Sequence, residues 1–199
     1  MSNSEFCMPL TDIEIAAELA PAGLRFVERD RATVRLPVQA ASLAPSCRHE
    51  DGRIDALPHE IVHADDPDMA SKINAGWFRL AVESGLLTED REFLLSVHYS
   101  DTVQEPELAW VRVQLLEPWD VAGSGVAALG TYAPEFTALS VDGQVLMRTT
   151  LWGDGTVSSL VVPSPATVSI IRDYAESMTR DPYYSQAVQQ AARTWLAQG

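Results

Sequence analysis

Residues 136–162 read FTALSVDGQVLMRTTLWGDGTVSSLVV, and no other stretch restricts the fold as strongly. Asp142-Gly143 is the dipeptide that most readily supplies the positive φ of a tight hairpin turn, and it separates two runs of strand-forming residues. Gly153-Asp154-Gly155 makes a second turn before TVSSLVV. Strands joined by turns this short must run antiparallel, because a parallel return needs about a dozen connecting residues or more. A three-stranded meander follows, and the rest of the chain must be arranged around it.

Other segments carry the same signal. Phe93, Leu95, Val97 and Tyr99 alternate with their neighbours, as do Val111, Val113 and Leu115, which is the period of a strand with one buried face. Ala32, Val34, Leu36 and Val38 alternate over residues 31–38, where Pro37 suggests an edge strand and residues 24–27 its hairpin partner. Helices are marked by their starts. Thr11 and Glu14 form a capping box for a helix to about Ala20. Asp66 and Pro67 open a helix over 67–85, with Ile73, Trp77, Leu80 and Ala81 on its inward stripe. Ser164-Pro165 and Asp181-Pro182 open two more, with Val168, Ile171, Ala175 and Met178 inward on the first and Val188, Ala191, Ala192 and Trp195 on the second. Residues 39–66 sustain no period and read as a long loop with room for one helical turn.

The sequence predicts an α+β fold: a curved antiparallel sheet of about five or six strands, packed on one face by helices. One domain over 1–199 is expected. It comprises an N-terminal helix (1–23), the sheet with its central helix (24–163) and a C-terminal helical pair (164–199). The order resembles the hotdog fold, in which a sheet wraps a central helix (here 67–85). It is also similar to the helix-grip fold, in which a C-terminal helix plugs a curved sheet (here 165–179). Both resemblances rest on element order and transfer no catalytic residue.

Composition narrows the function classes. With 28 acidic and 14 basic side chains the formal net charge is −14, which works against nucleic acid and anionic membranes as partners. Cys7 and Cys47 do not make a disulfide scaffold, the first twenty residues lack a signal-peptide pattern, and no apolar stretch has the length of a membrane span. A cytoplasmic protein, monomeric or a homo-oligomer, is expected. P-loop, G-x-S-x-G, EF-hand and CxxC patterns are absent.

The chemically suggestive residues cluster. His59, Glu60 and His63 form H-E-x-x-H, and three of the four histidines (His49, His59, His63) fall within fifteen residues of one another, beside Cys47. On a helix the two motif histidines would share a face and bind zinc, with Glu60 taking a proton from metal-bound water. Glu83, twenty residues downstream of His63, resembles the third ligand of gluzincins, and Cys47 would complete a Cys-His-His set of the peptide deformylase type. Against this, Pro58 and Pro67 leave little room for a helix, Asp65 replaces an apolar position, and Arg79 is one turn from Glu83 as an ion-pair partner. The leading expectation is instead metal-free and cofactor-free acid–base chemistry on a small, largely apolar substrate: a thioester hydrolase, cyclase, isomerase or dehydratase-like enzyme using His59, Glu60, His63 and His98. The pocket would lie between sheet and helices, with Arg112, Arg148 and Trp77 contacting substrate. A His98–Arg112 pair across neighbouring strands is part of this expectation. Zinc-dependent hydrolysis through HEIVH is the alternative, and an acidic, non-enzymatic interaction or immunity protein is the third reading.

Overall fold

In the computed structural model, which describes residues 10–30, 32, 34–55, 62–100, 107–124 and 134–198 (backbone alone at 98–100 and 107), both predicted turns form. Gly143 and Gly155 take the left-handed conformation, with φ of 78° and 83°. The Asp142 carboxylate accepts from the Ser140 hydroxyl at 2.5 Å and the Gln144 amide at 3.0 Å, and these bonds hold it below the usual carboxylate range. β6 (Phe136–Leu139), β7 (Val145–Leu151) and β8 (Thr156–Pro163) form the expected meander, with Ala138 opposite Met147 and Met147 opposite Val161.

This meander is part of an open sheet of eight strands, antiparallel in every described pair. β1 (Leu24–Arg29), β5 (Glu107–Leu115) and β4 (Glu92–Ser100) lead to β6, β7 and β8, while the short β2 (Ile54–Asp55) and β3 (Val62–His63) both pair with β8. Five α-helices are described: α1 (Asp12–Leu19), α2 (Val38–Ala41), α3 (Met69–Ser84), α4 (Ser169–Met178) and α5 (Gln186–Leu196). No described helix is long and apolar enough to cross a membrane.

The α+β class stands, but the helices lie on both faces of the sheet rather than one. Successive strand residues point to opposite sides. Phe93, Leu95, Val111, Val113, Ala138 and Met147 pack with α1 and α3 around the buried Trp77. Leu94, Trp110, Leu139, Leu146, Leu160 and Val162 pack with α2, α4 and α5. The reason is in the meander itself: runs such as VLM and SLVV interrupt strict alternation, so both faces present apolar side chains that need cover.

Residues 31–38 are the second correction. The strand here is β1, which pairs with β5, and Pro37 instead N-caps α2, with Val38 as its first residue. Leu36 and Val38 are buried in the second core and Val34 is exposed, so their alternation reflects local turns. The loop expected over 39–66 holds α2, two 3-10 turns (Ala44–Ser46 and His49–Asp51), β2 and β3. The Thr11–Glu14 capping box forms as expected, with the Thr11 amide donating to Glu14 at 2.7 Å. α5 starts later than Asp181-Pro182 suggests and is capped by Ser185, whose Oγ accepts the Val188 amide at 3.3 Å.

Two substitutions test this packing. Trp77 lies edge-on or tilted to Phe93, Trp119 and Phe136, with ring centroids 5.6–5.7 Å apart. Trp77→Ala is expected to lower unfolding free energy by about 3–5 kcal/mol in denaturant titrations. Gly23 has φ of 71°, and a Cβ there would stand 2.4 Å from the Pro118 carbonyl oxygen. Gly23→Ala should therefore lose well over the ~1 kcal/mol of an ordinary substitution at such a site.

Candidate functional site

The residues expected to carry chemistry are not gathered in one place. His59 and Glu60 lie outside the described residues. His63 is in β3, opposite Thr156, so the helical geometry expected of HEIVH does not extend to it. Cys47 is buried in the second core, where its thiol donates to the Leu43 carbonyl at 3.7 Å. Burial pushes that thiol upward, Asp51 adds to the shift and Arg53 opposes it. Glu83 is on the helix covering the opposite face, paired with Arg79 at 3.1 Å as its spacing predicts. Cys47 and Glu83 thus do not converge, and among the described residues no group of three or more His, Cys, Asp or Glu is placed to hold a metal. His49 interacts with Asp55 at 3.2 Å and Arg53 at 3.0 Å.

His98 is opposite Leu108 in the ladder, whereas Arg112 is opposite Leu94 and Glu28. The expected His98–Arg112 cross-strand pair is therefore out of register by four residues. Arg112 instead meets Glu92 at 2.6 Å and Glu28 at 3.5 Å, a solvent-facing ion-pair group. Trp77 is sealed in the first core and lines no opening. Arg148 points to the second face, where Nη1 donates to Thr137 Oγ1 at 2.8 Å and Nη2 is 3.6 Å from Glu135.

An apolar-floored concavity lies elsewhere on that second face. Segment 35–39, the start of β5 and the first half of α5 enclose a cleft of about 360 Å³. Three bonds set its shape. The Trp110 indole donates to the Leu36 carbonyl at 2.6 Å, the Asp30 amide donates to the Trp110 carbonyl at 3.0 Å, and Arg35 Nε donates to Asp30 at 2.8 Å. Together they tie segment 30–36 to β5 and leave Leu36, Leu108 and Trp110 as an apolar floor. Across from them α5 presents Ala187, Val188 and Ala191, positions that share one helix face. The two alanines leave the space that larger side chains would fill. Gln39, Ser185 and the Arg35–Asp30 pair are the polar groups of the lining. Such a lining suits an apolar ligand with one or two hydrogen-bonding groups.

Sequence reasoning missed this cleft because it treated 31–38 as a strand. The signal against a strand was present: Pro37 is followed by VQAA, helix-forming residues directly after a residue favoured at helix starts.

The buried thiol gives a direct check. In a Cys7→Ser background, Cys47 should react with a disulfide reagent far more slowly in the native protein than in denaturant at the same pH. Its rate should keep rising with pH beyond the ordinary thiol range, since its thiolate forms at higher pH. Comparison of the chain with protein-family models, with curated proteins and with solved structures finds no match.

Proposed function

We propose that the protein binds a small, largely apolar molecule in the cleft between segment 35–39, β5 and α5. The observation that carries this reading is the cleft itself: about 360 Å³, with an apolar floor of Leu36, Leu108 and Trp110 and a helix wall thinned by Ala187 and Ala191. Its volume lies at the small end of the range for ligand pockets, which favours a compact ligand. Burial of apolar surface at about 25 cal/mol per Å² drives association, and Gln39 and Ser185 offer orienting hydrogen bonds.

The reading is of a binder rather than a catalyst. The described lining contains no histidine, and its one acidic residue, Asp30, is bound to Arg35. The acid–base chemistry expected of His59, Glu60, His63 and His98 thus draws no support from this cleft, and zinc is not part of the proposal.

An uncharged, environment-sensitive dye such as Nile red should show saturable binding at one site per chain. Ala187→Leu combined with Ala191→Phe fills the cleft from its helix wall. The double variant is expected to weaken binding by about tenfold or more, equivalent to ~1.4 kcal/mol. Its stability should stay within about 1 kcal/mol of the parent, because the cleft is open and the new side chains need not strain the core. Undiminished dye binding in a folded double variant would rule this site out.

A further inference from the structure

Two polar side chains on β7, Arg148 and Thr150, stand on the face occupied by the second core, two residues apart and so on the same side of the sheet. Leu146, on that side too, is packed in the core, but beyond it the face turns polar. Thr137 lies opposite Arg148 and Ser158 opposite Thr150. Thr137 and Thr150 are only 4% and 8% exposed.

The guanidinium is held from one end. Nη1 donates to Thr137 Oγ1 at 2.8 Å, while Glu135 Oε2 stands 3.6 Å from Nη2, beyond hydrogen-bond length. Glu135 Oε1 is taken by the Leu151 amide at 3.0 Å, which anchors that carboxylate in place. Arg148 Nε and Thr150 Oγ1 are buried and, among the described residues, have no hydrogen-bond partner. On the opposite face the neighbouring Thr149 hydroxyl is satisfied by Ser159 at 2.7 Å, so the orphaned pair is not a general property of this strand. Buried polar groups are almost always paired, and two orphans on one strand face suit a shared acceptor.

We propose that Arg148 Nε and Thr150 Oγ1 form a two-donor binding site for the carbonyl oxygen of an uncharged ligand, an amide or an ester. Charge selects this class. Glu135 already balances Arg148, and an incoming carboxylate or phosphate would set a second negative charge beside it, in a chain of net charge −14. An uncharged carbonyl accepts both donors without that repulsion. The Arg148 and Glu135 side chains are 20% and 21% exposed, so solvent reaches the pair from one side. β4 and β6 separate β7 from β5, which places the site apart from the cleft and makes it independent of the reading given for the cleft.

The test follows the Arg148 Nε–H resonance in the full-length, ¹⁵N-labelled chain, assigned by its loss in Arg148→Lys. Titration with N-methylacetamide should shift it saturably, Thr150→Val should abolish the response, and Thr150→Ser, which keeps the hydroxyl, should restore it. Acetate and inorganic phosphate should leave it unmoved. No response to the amide, or an equal response in Thr150→Val, overturns the site. A stronger response to acetate or phosphate overturns the assignment to uncharged ligands. Thr150→Val removes an unpaired buried hydroxyl and preserves shape, so its fold is expected to survive.

Discussion

The structure depends on one constraint: a sheet that is apolar on both sides has to be covered on both sides. Side chains alternate across each strand, so every residue committed to one face commits its neighbours to the other. In β4 and β7 both sets are apolar in part, with Phe93, Leu95 and Met147 on one side and Leu94 and Leu146 on the other. α3 satisfies the first side with a sixteen-residue helix centred on Trp77, and α4 and α5 satisfy the second. The helices at the two ends of the chain are thereby drawn to opposite faces, with α1 joining the first core and α4 and α5 the second.

The second layer is the one that contains the cleft. α5 presents alanines, and the segment before α2 reaches the sheet mainly through the Trp110–Leu36 bond. Between them the cleft remains. Further along the same face the sheet carries Thr137, Arg148 and Thr150 in place of apolar residues. One face thus holds an apolar hollow near β5 and a polar patch near β7. The first core, by contrast, is closed by tight aromatic contacts around Trp77.

Electrostatics is local rather than collective. Surface pairs such as Arg79–Glu83, Arg91–Glu117 and Arg180–Glu176 are exposed, which keeps each contribution small. The arginines expected to contact substrate, Arg112 and Arg148, each face carboxylates of this chain instead. Arg112 is held by Glu28 and Glu92 and Arg148 more loosely by Glu135; each keeps a buried Nε without a partner among the described residues, and on β7 that donor shares a strand face with a second orphan, Thr150 Oγ1.

What the sequence determined by itself is whatever is local. The Asp142-Gly143 and Gly153-Asp154-Gly155 turns, the Thr11–Glu14 box, the inward stripes of α3 and α4 and the Arg79–Glu83 pair are all settled within a few residues, where backbone conformation and side-chain spacing decide. The alternation that puts Arg112 and Val111, like Arg148 and Met147, on opposite sides of their strands was legible too, since a strand's period is fixed by its pleat. The tertiary structure decided which strands adjoin and in what register, and so separated Arg112 from His98 by four residues. It also decided that both faces are covered, that 34–37 is a turn feeding α2, and that Cys47 is core. These depend on which partners a segment meets across the sheet, so the cues in the sequence, the broken alternation of the meander and Pro37 before VQAA, take their meaning only there. The cleft belongs to this second class, since segments far apart in the chain make it, and so do the surroundings of Arg148 and Thr150, which β6 and β8 supply.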